Sequence, residues 1–290
     1  MCSPFFIFKN MSLLLNCGRY KFSFSDEKIR PLVMGVLNVT PDSFSDGGKY
    51  PSLDLTLSRA EQMIAEGVDI IDIGAESSRP GAQALSIDEE LNRLMPVLYA
   101  LRDCGKPISI DTYKPEVMHE AIVAGADMIN DINGFRAVGA LDAVKDSDCA
   151  LCIMHMQSTP QSMQVKPQYV DVVAEVTAFL LERVAILTDA GISRSRLCVD
   201  PGFGFGKTLE HNILLLRKID EIQKAIGLPL LAGLSRKSMI GAMTGRPVEN
   251  RLAGSLSAAM VAASNGANIL RVHDVIETVD ALAVWHVTTK

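Results

Sequence analysis

From residue 31 onward, short apolar runs of strand character alternate with longer amphipathic stretches, separated by Gly, Pro and Asn. This alternation is the βαβα signal. Strands are predicted at 32–37, 69–73, 107–110, 128–132, 151–154, 197–199, 229–231 and 269–272, each followed by a segment that can carry a helix. Over 53–65, Leu53, Leu57, Ala60 and Ile64 share one helical face, and 170–187 repeats apolar residues at three- and four-residue spacing. Runs such as Ile70-Ile71-Asp72-Ile73 are too apolar for a half-exposed sheet, as expected of parallel strands covered on both faces. Eight such units close into a (β/α)8 TIM barrel, an α/β fold, spanning 31–290 as one domain; residues 1–30 form an N-terminal extension or hairpin.

Composition narrows the picture. The 290 residues are 48% hydrophobic and 21% charged, which suits one globular domain that buries roughly 75% of its unfolded surface and needs no disulfide or structural metal. Cys149 and Cys152 are the one close pair of six cysteines; without a second pair they make a poor zinc site and read instead as thiols of a buried strand. That usage fits a reducing, cytoplasmic setting. The formal net charge of −6 speaks against nucleic acid or a membrane surface as partner. Residues 3–17 are apolar, but Lys9 and Asn10 interrupt them, and they lack a basic start and a small-residue cleavage site. No stretch approaches the ~20 apolar residues of a membrane span.

The predicted strands end in polar residues: Asn38, Glu76, Asp111, Asn130-Asp131, His155, Asp200, Ser235 with Lys237, and Arg271 with His273. In a barrel those ends converge on one mouth. Helix capping accounts for Asp, Asn or Ser taken singly, but Lys237, Arg271 and His273 are poor N-caps, because a cation at a helix N-terminus is disfavoured. His155 also reads as a buried structural residue.

Three loops carry further signals. Residues 38–48 (NVTPDSFSDGG) are long, polar and glycine-ended, as suits a mobile lid. Residues 74–82 (GAESSRPGA) carry a cation. Residues 202–208 imitate a phosphate loop, but Pro201 stands where the Walker pattern needs glycine, so tight-turn geometry is the better reading. Together with 200–207 (DPGFGFGK), 235–238 (SRKS) and 271–273 (RVH), the two earlier loops closely resemble the dihydropteroate synthase family, the folate-pathway enzymes targeted by sulfonamides. The resemblance runs from about residue 20 to near the C-terminus.

The resemblance implies a reaction and a set of site residues. The reaction is a transfer joining 6-hydroxymethyl-7,8-dihydropterin diphosphate to 4-aminobenzoate, giving 7,8-dihydropteroate and diphosphate. By the same resemblance, Asp200 anchors the amino-pyrimidinone edge of the pterin, Asp111 and Asn130 complete that edge, Lys237 donates to the ring, and Phe205 lines the pocket. A carboxylate suits the first role because it accepts two parallel N–H bonds. Asp131 is an alternative to Asn130, since adjacent strand residues point to opposite faces. Arg271 and His273, on one face of the last strand, meet the diphosphate, with Ser78 and Arg79 as further candidates. Asn38 is the implied Mg²⁺ ligand, one protein oxygen sufficing because this ion keeps waters and takes substrate phosphate oxygens. Asp42 or Asp46 stabilises the cation-like pterin methylene, and Phe44 and Pro80 pack around the 4-aminobenzoate ring. Ser238 and the helix start after it are suited to the benzoate carboxylate.

Ala75, Ser78 and Ser158 depart from the family's usual glycine, threonine and glycine. Two competing functions are a corrinoid-linked methyltransferase on a related barrel and a non-catalytic pterin binder; the first two loop motifs and the full polar set argue against both. A homodimer is expected through the small-residue face Ala258, Ala259, Ala262 and Ala263, which can equally pack on its own barrel.

Overall fold

The structure, a computed structural model, describes residues 13–24, 30–39, 53–76, 84–157, 163 and 167–289. Asp42, Phe44, Asp46, Ser78, Arg79, Pro80 and Ser158 lie outside the described residues. An antiparallel hairpin, β1 (Leu14–Cys17) and β2 (Tyr20–Ser23), precedes eight parallel strands. These are β3 (Leu32–Asn38), β4 (Ile70–Gly74), β5 (Ile108–Asp111), β6 (Met128–Asp131), β7 (Ala150–Met154), β8 (Leu197–Asp200), β9 (Leu231–Ala232) and β10 (Ile269–Val272). They lie side by side in the order β8-β7-β6-β5-β4-β3-β10-β9. A parallel bridge between Val199 and Leu230 joins the two ends of that order, making a barrel. Strand β9 is shorter and later than predicted: Pro229 has no N–H for the ladder, although its carbonyl accepts from Val199 at 3.0 Å.

Around the barrel lie α1 (Leu53–Ala65), α2 (Ile87–Leu101), α3 (Pro115–Val123), α4 (Ala140–Val144), α5 (Val172–Asp189), α6 (Leu209–Arg217), α7 (Ile219–Ile226), α8 (Ser238–Thr244), α9 (Leu252–Ser264) and α10 (Val275–Thr288). Helix α5 starts later than its periodicity suggests because Asp171 caps it, accepting from Val173 N at 3.0 Å and Ala174 N at 3.1 Å. In α1 the buried stripe is Thr56, Ala60 and Met63, whereas Leu53 is 41% exposed. The predicted face is thus displaced, with Leu57 and Ile64 packed at the edge of the core.

The strand parity organises everything else. Residues such as Val33, Ile71, Ile73, Ile108, Ile110, Ile129, Leu151, Ile153, Val199 and Leu270 point outward into the helix-covered core. Their alternates Met34, Ile70, Met128, Cys152, Cys198, Leu231 and Ile269 fill the lower barrel interior. Two residues further along β4, β6, β8 and β10, the same inward parity carries Asp72, Asn130, Asp200 and Arg271. The apolar floor is closed from below by the β1–β2 hairpin, which inserts Leu15 and Cys17. Arg19 fastens it, its Nε 3.1 Å from Asp127 Oδ1.

In α9 the alanines 258, 259, 262 and 263 are buried within the chain itself. That face packs on its own barrel and is not available to a second copy, which corrects the expected dimer surface. No helix among the described residues is long and apolar enough to cross a membrane.

Candidate active site

Arg271 is the hub of the mouth. Its Nε donates to Asp72 Oδ2 at 2.6 Å and its Nη2 to Asp111 Oδ2 at 2.7 Å. Asn130 Nδ2 lies 3.4 Å from the same Asp72 oxygen. Asn130 is therefore the inward residue of its pair. Asp131 points out of the barrel and accepts from Asn133 N at 2.7 Å and Phe135 N at 2.6 Å, shaping the turn after β6. Asp72, wholly buried, belongs to this cluster and is absent from the residues predicted from sequence. A carboxylate inside an apolar strand run was its signal, because such a charge must be paired.

A second group assembles on the other side. Gly233 follows β9, and a β-carbon placed there would lie 3.7 Å from Lys237 Nζ, 3.9 Å from Asp200 Oδ2 and 3.9 Å from Arg271 Cβ. Glycine keeps this junction open while three charged side chains converge on it. Lys237 Nζ also donates to Phe203 O and sits 4.8 Å from the centroid of the Phe205 ring, a cation–π contact. Arg236, in the left-handed region at φ 59°, turns the chain between Ser235 and Lys237. Ser235 Oγ reaches His273, 3.1 Å from Nδ1, and accepts from His273 N at 3.2 Å. Ile132, Met154 and Met156, with Phe205 and Tyr113 against them, form an apolar patch beside the charges; of these only Phe205 is predicted from sequence.

Burial pushes Asp111 up to about 7, opposed by Arg271. Burial likewise raises Asp200, against the pull of Lys237 and a hydrogen bond from Gly202 N. Lys237 is brought down to about 8 by burial, with Asp200 working the other way and Arg271 adding to the drop. Burial opposes the charge on Arg271, but Asp72 and Asp111 outweigh it and hold the guanidinium above its ordinary value.

Asn38 ends β3 at the rim. A β-carbon on Gly74 would lie 3.9 Å from Asn38 Oδ1 and 3.5 Å from Asp111 Cβ, so glycine leaves this corner clear around a hard oxygen donor. Among the described residues no group of three or more His, Cys, Asp or Glu could hold a metal, so an ion at this corner would have to draw most of its ligands from elsewhere. Ser238 is exposed at the first position of a seven-residue helix whose N-cap, Lys237, makes no side-chain cap.

Two predicted strand-end residues are held by other partners. Glu76 accepts from Tyr113 OH at 2.8 Å and Leu85 N at 2.9 Å and pairs with Lys114, which also binds Glu90. His155 is buried beside Phe179 and Lys207. The glycines of 202–206 are turn residues, as their sequence context predicts: Gly202, Gly204 and Gly206 have φ of 72°, 80° and 62°.

Inward-facing carboxylates, an amide and cations gathered at the mouth of a barrel define a small-molecule enzyme site with both donors and acceptors for a polar substrate. The family model described as pterin-binding enzyme matches residues 34–273. The dihydropteroate synthase of Escherichia coli is 49% identical over 259 residues, covering 89% of this chain and 92% of that protein. The chain thus belongs to the dihydropteroate synthase family of pterin-binding enzymes. The Burkholderia cenocepacia dihydropteroate synthase solved with 7,8-dihydropteroate superposes with a TM-score of 0.87 at 50% identity, covering 96% of this chain and 97% of that one. The Xanthomonas albilineans enzyme solved with 4-aminobenzoic acid gives 0.88 at 47%, covering 96% and 99%.

Proposed function

We propose that this chain is a transferase that condenses 6-hydroxymethyl-7,8-dihydropterin diphosphate with 4-aminobenzoate. The observation that carries the reading is the convergence of Asp200, Lys237 and Arg271 around Gly233. Asp200 accepts a pair of N–H bonds from the amino-pyrimidinone edge, Asn130 and Asp111 meet the same edge, and Lys237 donates to the ring. The flat ring lies against Ile132, Met154 and Phe205. Arg271, fixed at Nε and Nη2, and His273, oriented by Ser235, face the diphosphate. The C–O bond to diphosphate breaks, the amine nitrogen forms a bond to the methylene carbon, and the amine proton passes to solvent.

Holding the pterin and the amine together contributes through proximity, and the cation-like methylene carbon needs no protein nucleophile. Asn38 would hold Mg²⁺ through Oδ1, and the chemistry that ion supplies when bound is charge neutralisation on the diphosphate. Asp42 or Asp46 is assigned the developing cation, Phe44 and Pro80 the 4-aminobenzoate ring, Ser78 and Arg79 further anion contacts, and Ser238 the carboxylate. These assignments rest on the family resemblance. Purified protein given both substrates and Mg²⁺ should form 7,8-dihydropteroate, read by chromatography; product that forms equally without protein would refute the reading.

The chain is further proposed to act as a cytoplasmic homodimer. Val261 on α9 and Ile276, Val284 and Val287 on α10 are exposed apolar residues that support a surface other than the buried alanines. Sedimentation over a concentration series tests it.

A further inference from the structure

Lys207 is a buried lysine to which neither pterin, diphosphate nor 4-aminobenzoate binding assigns a role. It is only 4% exposed. Its Nζ makes three hydrogen bonds: 2.9 Å to Gly202 O, 3.0 Å to Phe205 O, and 2.9 Å to His155 Nδ1. A buried ammonium has three donors to satisfy, and all three go to groups that define one loop, 201–207, and the strand end beneath it. With Lys207 as the ammonium, His155 Nδ1 is the acceptor; burial, with Lys207 and Arg136 adding, pushes the ring down to about 2 and keeps it neutral. Burial draws Lys207 itself down to about 7, against Asp200 and helped by Lys237.

The loop has little other freedom. A β-carbon on Gly202 would stand 1.9 Å from His155 O, so the backbone already touches that strand end. Tyr169 OH donates to Gly206 O at 2.9 Å, and Gly204 N donates to Asn212 Oδ1 at 2.7 Å. The laced loop presents Phe203 O and the Phe205 ring to the mouth, the two contacts that seat Lys237.

We propose that Lys207 is a positioning residue: through Gly202, Phe205 and His155 it fixes the loop that holds Lys237 in its pterin-binding place. This rests on the pterin reading of the mouth. Its effect on function runs through Lys237, so it should appear in pterin affinity first.

The test compares wild type, Lys207→Met and His155→Phe. Calorimetric Kd for the pterin diphosphate is measured with KM for 4-aminobenzoate, kcat and thermal unfolding. Lys207→Met should weaken pterin binding by about tenfold or more, as expected for loss of charge-assisted hydrogen bonds, with the 4-aminobenzoate KM within about twofold. His155→Phe keeps the ring edge against Phe179 and removes one acceptor, so a smaller rise in pterin Kd of about threefold is expected. A merely structural role would lower the active fraction and the unfolding temperature while leaving the pterin Kd of the folded fraction unchanged. That result in Lys207→Met overturns the proposal; should that variant fail to fold, an unchanged pterin Kd in folded His155→Phe does the same. Failure of wild type to bind the pterin refutes the reading of the mouth instead, and is seen before any variant is compared.

Discussion

Arg271 and Asp111 are joined by a 2.7 Å ion pair although 160 positions separate them in the chain. Two strands, β3 and β4, stand between their own strands in the barrel wall, so the pair reaches across the mouth. It unites the residue assigned to the diphosphate with one assigned to the pterin edge. Neither group is free to turn toward its own ligand alone, and both ends of the substrate therefore meet one rigid unit.

Asp72 anchors that unit from below. Asp72→Ala should lower stability by on the order of 3 kcal/mol, because it strips a largely buried guanidinium of one partner while Asp111 remains. Urea unfolding reads this. The KM for the pterin diphosphate should rise about tenfold as Arg271 loses its fixed Nε. Unchanged stability and KM would show that Arg271 is held by Asp111 alone.

Lys237 sets an alkaline limit. Its charge is lost as pH rises through about 8, with Asp200, Asp111 and Arg271 facing it. Binding that needs the ammonium is intact below that value and falls above it. The wild-type pterin Kd should thus climb between about pH 7.5 and 9, roughly tenfold per pH unit once past the midpoint. Lys237→Met should bind weakly throughout and show no such limb; a limb that persists in the variant would assign it to another group.

Asp200→Asn retains an oxygen for Gly202 N, which donates to Oδ1 at 2.7 Å, and so keeps the turn. It removes the charge that makes the paired N–H bonds strong. Pterin affinity should fall by about ten- to a hundredfold with little change in melting temperature, since charge-assisted bonds contribute ~1.5–3 kcal/mol. Calorimetry and thermal unfolding on the same sample separate the two effects.

The hairpin under the barrel makes the opposite prediction. Leu15 is fully buried among inward residues of the strands. Leu15→Ala should cost about 2–5 kcal/mol of stability and leave both KM values unchanged. A change in KM at full folding would mean that the floor controls the mouth.

Much of this fold is legible in the order of residues, because a parallel barrel writes itself as short, nearly continuous apolar runs, while the side chains of each strand alternate between its two faces with a period of two. That period also explains Asn130: Met128 faces in, so Asn130 does, and Asp131 turns outward. Asp72 obeys the same parity, but a lone carboxylate in an apolar run reveals its partner only once β10 is seen beside β3. Lys207 is less visible still. Two of its acceptors are backbone carbonyls and the third is His155, 52 residues away, so nothing local marks it as buried. The alanine face of α9 shows the converse, since small residues favour close packing without saying against what.

This mouth is proposed to transfer the pterin methylene from diphosphate to an arylamine. Diphosphate release, followed by a coupled assay with pterin diphosphate and Mg²⁺, tests that transfer most directly. Release should depend on 4-aminobenzoate, match dihydropteroate mole for mole, and be lost in Arg271→Ala. Binding of the pterin diphosphate without any 4-aminobenzoate-dependent release would contradict the transfer and point to a protein that only binds pterin.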